Sequence, residues 1–205
     1  LTISNSIESL GKSSFEKCSG FTGGLNLYDF NFLTKIPESL FAYCSGFKGN
    51  LKLPLSILSI EQFAFYNCYG FSELLEIPYS TFEIGVSAFQ GCTSLNLLHM
   101  NSPLKTIKES AFNGCDGFQR VLLIPHTVSS IGSYAFYNCG FDDSFFLTEI
   151  ITSINNSVFY NCSQLKGTLT IPETVKSIGP NSFFNCSGFS HLTLPSKLVN
   201  ISENA

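Results

Sequence analysis

Leu169-Thr170-Ile171-Pro172-Glu173-Thr174-Val175-Lys176-Ser177-Ile178-Gly179-Pro180-Asn181-Ser182-Phe183-Phe184-Asn185-Cys186 is one turn of a pattern that fills the whole chain. Its last residue recurs as Cys18, Cys44, Cys68, Cys92, Cys115, Cys139, Cys162 and Cys186, at intervals of 26, 24, 24, 23, 24, 23 and 24 residues. A period of this size is the signature of a solenoid, in which each repeat is one structural unit stacked on the next.

The other apolar positions keep step with the cysteine. Three residues before each Cys stands a Phe: Phe15, Phe41, Phe65, Phe89, Phe112, Phe136, Phe159 and Phe183. Eight before it stands an aliphatic, from Leu10 and Ile36 through to Ile154 and Ile178. Eleven before it the column is aliphatic except at Thr81. After each Cys comes a second Phe or Leu, then an alternating pair such as Leu51/Leu53, Leu75/Ile77 or Leu169/Ile171. Alternation with period two predicts a strand. Pro54, Pro78, Pro125, Pro172 and Pro195 stop it within a few residues. Each unit thus reads as a short strand, a turn, an aliphatic return segment and a compact turn around Ala-Phe-x-x-Cys. Segments such as Tyr134–Asn138 are expected to make one short helical turn, too short to be stable alone. Gly85, Gly132 and Gly179 are expected to serve a corner with positive φ. Stacking turns the columns into ladders of Phe, Ile, Leu and Cys, which suits 21 Phe and no Trp, since Phe carries no N–H that needs a buried partner. With strands about 4.8 Å apart, the array would span about 40 Å.

The motif L-x-I-P-x-x-V-x-S-I-G-x-x-A-F-x-N-C, met by Leu169–Cys186 apart from Ser182, resembles the BspA-like (treponemal-type) leucine-rich repeat. Cys92–Met100 likewise contains the core L-x-x-L-x-L. The variant Cys-Ser-Gly-Phe at Cys18, Cys44 and Cys186 is similar to a form common in surface proteins of mucosal protists. The resemblance covers essentially all 205 residues. It implies a right-handed leucine-rich-repeat solenoid of the α/β horseshoe class, mostly short parallel strands with turns. It also implies a cell-surface or secreted protein that adheres to host or matrix proteins or to other cells. It offers no catalytic residue and no cofactor. The other reading of the same fold is an intracellular scaffold for protein–protein interaction.

Residues 1–205 read as a single array of about 8.5 units of 23–26 residues. The chain opens inside a strand pair (Leu1/Ile3) and stops inside a unit, so a fragment of a longer protein is expected. Net charge is −4, and Arg120 is the single arginine. The basic footprint of a nucleic-acid binder is missing, and no apolar run is long enough to insert this segment in a membrane as a helix.

Eight cysteines raise disulfides or a metal site. Metal sites want paired spacings such as C-x₂-C, which do not occur. Neighbouring ladder cysteines would sit near a disulfide distance, but their side chains point the same way. A column of small buried thiols fits better. His99 and His191 fall on the strand face, about 19 Å apart by strand spacing, and His126 follows Pro125 in a turn. His99 and His191 cannot share a metal or a substrate atom, and no nucleophile–base–orienter set can be assembled from these positions. Asp142-Asp143 is too few carboxylates for calcium. The reading is therefore non-catalytic, with no catalytic, metal or cofactor residues. Of four N-x-S sequons, those at Asn161 and Asn185 belong to the repeat and are expected to bond the turn beside the cysteine. Asn155 and Asn200 are the expected glycosylation sites.

One feature is not required by the fold. Between the inward pairs, outward positions are polar at both ends of the array (Asn26, Asn50 and Lys52; Thr168, Thr170 and Thr193). In the middle they are Leu74, Leu97, Val121, Leu123 and Phe146, with Glu76 and His99 as polar neighbours. Such a patch marks a partner-binding surface, here for a protein ligand with Phe146 as anchor. Two other readings stay open: a β face that merely tolerates apolar residues, and a face covered by a flanking segment. A gently curved face without a deep pocket favours a protein over a small molecule. Far-ultraviolet circular dichroism is expected to show strand and turn; a strongly helical spectrum would contradict this reading.

Overall fold

The computed structural model describes residue 3, residues 7–101 and residues 103–205. Leu1, half of the expected first strand pair, lies outside the described residues.

Each coil contributes two strands. The outer-face strands are β1 (Gly23–Asn26), β3 (Phe47–Lys52), β5 (Phe71–Ile77), β7 (Leu97–Met100), β9 (Leu122–Leu123), β11 (Phe145–Phe146), β13 (Gly167–Thr170) and β15 (Phe189–Thr193). The return-face strands are β2 (Lys35–Ile36), β4 (Ser59–Ile60), β6 (Glu83–Ile84), β8 (Thr106–Ile107), β10 (Ser130–Ile131), β12 (Ser153–Ile154), β14 (Ser177–Ile178) and β16 (Asn200–Ile201). All pairings are parallel and join successive coils: β1-β3-β5-β7, β9-β11 and β13-β15 on one face, β2-β4-β6-β8-β10 and β12-β14-β16 on the other. The aliphatic return segment is thus itself a ladder, with Ile36, Ile60, Ile84, Ile107 and Ile131 in register.

The core lies between the two ladders and the turn that closes each coil. The Phe column stacks along the whole array, with ring centroids 5.2 Å (Phe65–Phe89) to 5.7 Å (Phe41–Phe65) apart and planes within 12° of parallel. The second ring packs edge-on against it, as Phe47 does on Phe41 at 6.0 Å. Both arrangements are ones that aromatic quadrupoles favour.

The turn around Ala-Phe-x-x-Cys contains no helical turn, contrary to the sequence expectation. Two of its residues per coil have positive φ, one on each side of the Phe: Ser39 (53°) and Tyr43 (62°), Tyr134 (60°) and Asn138 (53°), Asn181 (56°) and Asn185 (58°). Left-handed residues break the i→i−4 ladder. They also turn alternate amides out of the coil. Phe15, Phe41, Phe65, Phe89, Phe112 and Phe136 therefore donate their N–H to the carbonyl of Leu40, Ala64, Ala88, Ala111, Ala135 and Val158 in the following coil, at 2.8–3.0 Å. Asn recurs here, at Asn67, Asn138, Asn161, Asn181 and Asn185, because its short polar side chain tolerates this conformation best after Gly. The asparagines also bond each other, Asn161 Nδ2 to Asn138 Oδ1 at 2.6 Å and Asn185 Nδ2 to Asn161 Oδ1 at 2.5 Å.

The cysteines are free thiols, six of them buried and Cys18 and Cys186 half-buried. Each from Cys44 onward donates its S–H to the Phe carbonyl of the preceding coil, as Cys44 does to Phe15 (2.8 Å), Cys92 to Phe65 (3.2 Å) and Cys162 to Phe136 (3.0 Å). Thr81, the break in its column, is also satisfied: its Oγ1 donates to the Ile57 carbonyl at 3.0 Å. Ser182, in the usual Ala position, lies 2.6 Å from the Gly179 carbonyl and 2.9 Å from that of Asn155.

Gly85, Gly132 and Gly179 do not supply positive φ, as had been expected. They mark close coil approach. A Cβ on Gly132 would lie 2.4 Å from the backbone N of Glu109, and one on Gly85 would lie 2.7 Å from the Ile60 carbonyl oxygen. That carbonyl accepts the Gly85 N–H at 2.7 Å, so the contact that excludes a side chain also joins the coils.

Ile131 is buried at the end of the longer return ladder. Ile131→Lys should destabilise the array by about 3 kcal/mol or more, because it buries an unpaired charge. Wild-type urea stability for this variant would overturn the inward assignment. The thiols predict a pH dependence. Burial pushes Cys44 up to about 11 and Cys186 up to about 12 from an ordinary 9.0, and raises Cys68, Cys92, Cys115, Cys139 and Cys162 further. A raised folded pKa gives stability that is complete below the unfolded pKa and is lost as pH rises. The urea midpoint should therefore be flat from pH 7 to 8 and fall above about pH 9, with each of these seven thiols contributing about 1.4 kcal/mol per pH unit. Thiol titration should count eight groups after denaturation without reductant; a count near zero would show cross-linking.

Candidate functional site

The outward side chains of the odd-numbered strands stand on a sheet whose register fixes their neighbours. Leu74 pairs with Leu97 and Glu76 with His99 across β5 and β7. Leu123 pairs with Phe146 across β9 and β11. The apolar members are open, with 40% of Leu74, 38% of Leu97, 56% of Leu123 and 61% of Phe146 accessible, while Val121 is half-buried. The expected row therefore resolves into two cross-strand pairs. The ladder lapses between β7 and β9, where among the described residues Gln119 N–H reaches back to the Asn96 carbonyl at 2.8 Å.

Polar groups border the row. His99 Nδ1 lies 3.7 Å from Glu76 Oε1, both side chains more than half exposed. Asp142 and Asp143 work on the backbone, accepting from Arg120 N–H at 2.6 Å and Ser144 N–H at 2.7 Å. They shape the loop that leads into Phe145 and Phe146. His191 contacts Ser190 Oγ through Nδ1 at 3.0 Å. His126 lends its carbonyl to Thr148 Oγ1 at 3.1 Å. Among the described residues, no group of three or more His, Cys, Asp or Glu side chains is placed to hold a metal.

The two expected glycan sites differ. Asn155 is half-buried, and its Nδ2, the atom a glycan would take, donates to the Ile131 carbonyl at 2.6 Å. Asn200 is exposed, and its Nδ2 bonds Ser202 Oγ within its own sequon at 3.1 Å.

Sequence reasoning missed a trough on the same face. A cavity of about 370 Å³ opens over the strand ends of β1, β3 and β5, and Tyr28, Leu55 and Tyr79 are among its lining residues. It is an open trough at the surface of a face expected to lack a deep pocket. Tyr28 and Tyr79 stand two residues past their strands and Leu55 three past its own, a signal that becomes visible only once the coils are aligned.

The BspA type leucine-rich-repeat region family matches the chain in six copies, over residues 1–74, 21–142 and 129–205. No curated protein sequence matches it. Among solved structures, a leucine-rich-repeat protein from Eubacterium ventriosum aligns at 21% identity and TM-score 0.69, over 86% of this chain and 45% of the other. A leucine-rich cell surface protein from Faecalibacterium prausnitzii aligns at 21% identity and TM-score 0.51, over 89% of this chain and 62% of the other. The leucine-rich-repeat protein of T. pallidum aligns at 21% identity and TM-score 0.54, over 87% and 70%. The chain thus spans less than two thirds of the length of the first two.

Proposed function

We propose that this chain, which belongs to the BspA-type leucine-rich-repeat family, is the binding module of a cell-surface or secreted protein and adheres to host or matrix proteins or to other cells. A repeat-based protein-binding module is the coarse function that the family supports. The finer reading rests on one observation: the exposed pairs Leu74/Leu97 and Leu123/Phe146 on the strand face. Side chains fixed on a sheet lose little freedom when a partner docks. The aromatic Phe146 is the anchor, since aromatic residues dominate interface energetics. Glu76 and His99, with half-buried Val121, complete the partner-binding set, and the partner is a protein.

The surface reading is supported by one structural neighbour, the leucine-rich cell surface protein from Faecalibacterium prausnitzii. All eight cysteines are free, which favours the intracellular scaffold, because small secreted domains tend to be cross-linked. Burial weakens that objection. The six buried thiols from Cys44 to Cys162 are held protonated and out of reach, and the thiolate is the reactive form. Glycan on Asn200 in protein from the native source would decide for the surface; Asn155, its amide engaged, is the weaker acceptor. The fold supplies no chemistry by itself, and we read the module as non-catalytic.

The test is binding to a panel of immobilised extracellular-matrix proteins. The triple variant Leu97→Ser/Leu123→Ser/Phe146→Ser should keep its circular dichroism spectrum and bind at least about 100-fold more weakly than wild type. Retained binding in that variant, with loss on changing the turns, would move the site off this face.

A further inference from the structure

We infer that the trough over β1, β3 and β5 is a saccharide subsite, taking one or two pyranose rings of a neutral oligosaccharide. This goes beyond the protein-binding reading, since it assigns a second ligand class to the N-terminal end of the strand face, where Leu74 and Glu76 border both sites.

The first ground is shape and lining. At about 370 Å³ the trough falls in the range of small-ligand sites, roughly 300–1,000 Å³. It is open at the surface, and Tyr28 and Tyr79 contribute rings that are 48% and 68% exposed. Neither ring takes part in the aromatic stacking that occupies the core and the turn face. An aromatic face is electron-rich. The C–H face of a pyranose carries the complementary polarity and is flat enough to lie on it.

The second ground is the polar side chains facing the same space. Asn50, Lys52 and Glu76 line the trough beside the tyrosines. Among the described residues, Asn50 and Lys52 have no side-chain partner, and Glu76 has only the 3.7 Å contact with exposed His99. Asn26 Oδ1 is taken by the Tyr28 N–H at 3.0 Å, which fixes the backbone carrying that ring. The free groups are an amide, an ammonium and a carboxylate, so donors and acceptors are both on offer. A purely apolar side chain entering the trough would gain contact with Leu55, Leu74 and the rings, but it would strip water from the polar groups and leave them unpaired. A sugar has an apolar face for the rings and a rim of hydroxyls for the polar groups. The observations favour it over a peptide side chain for that reason.

The experiment titrates the protein with lactose, cellotriose, chitotriose and mannotriose. Binding is followed by saturation-transfer NMR and by tyrosine emission, which no tryptophan obscures. At least one of the four should bind saturably. Tyr28→Ala/Tyr79→Ala should weaken it by about tenfold or more, Asn50→Ala should weaken it measurably, and Tyr79→Phe, which keeps the ring, should restore most of the affinity. The variant Leu97→Ser/Leu123→Ser/Phe146→Ser should bind the sugar like wild type, so the two readings fail independently. Absence of binding by all four sugars would overturn the inference. So would sugar binding that survives the double alanine variant, or a trough that responds only to a short apolar peptide.

Discussion

Everything in this molecule depends on how one coil hydrogen-bonds the next, because no coil can bury its apolar face alone. Two β ladders would leave the third side of each coil open. The turn with two left-handed residues closes it by sending alternate amides to the following coil. The same geometry places the Phe in its stack and sets the cysteine beneath the preceding Phe carbonyl. The cysteine column is then explained without cross-links or metal. A thiol is small enough for the crowded corner, and its weak donor reaches a carbonyl that already accepts a backbone N–H, as Phe41 does from Cys44.

The period and the columns were legible from the residues. So was the side on which Leu74, Leu97, Leu123 and Phe146 stand, because an alternating pair on either side fixes which residues face out. The second strand of each coil was not legible: two residues, as in Ser59–Ile60, are too few for alternation to show. The turn was misread because Phe and Cys three apart also fits one face of a helix. The contrary signal was the Ser, Asn or Gly that occupies most of the two flanking positions, with Lys17, Tyr43, Phe63 and Tyr134 as the exceptions. Gly85 and Gly132 were assigned a dihedral role, whereas what excludes a side chain there is the neighbouring backbone. That cause lies a whole coil away and leaves no local mark.

The outer face carries a gradient of character along the stack. Its N-terminal coils combine tyrosines with free polar groups, its middle coils present exposed leucines and Phe146, and its last paired strands present Thr168, Thr170 and Thr193. Since each coil supplies only two or three outward positions, any recognition wider than a single contact must be written across several coils. A substitution in one coil therefore edits one element of the surface while the ladders beneath it remain.

The turn face has an electrical consequence. In each central coil three peptide units point their carbonyls to the coil before and their N–H groups to the coil after. Residues 39, 41 and 43 donate to Gln62, Ala64 and Tyr66, whose own units receive them from the previous coil's side and pass the pattern on through residues 63, 65 and 67. Peptide dipoles so aligned add head to tail, as they do along an α-helix, but here the axis is that of the solenoid and the conductor is three strands wide. This face is polarised end to end, its positive pole toward the last coil and its negative pole toward the first, with the sense fixed by handed backbone geometry and independent of the charged side chains.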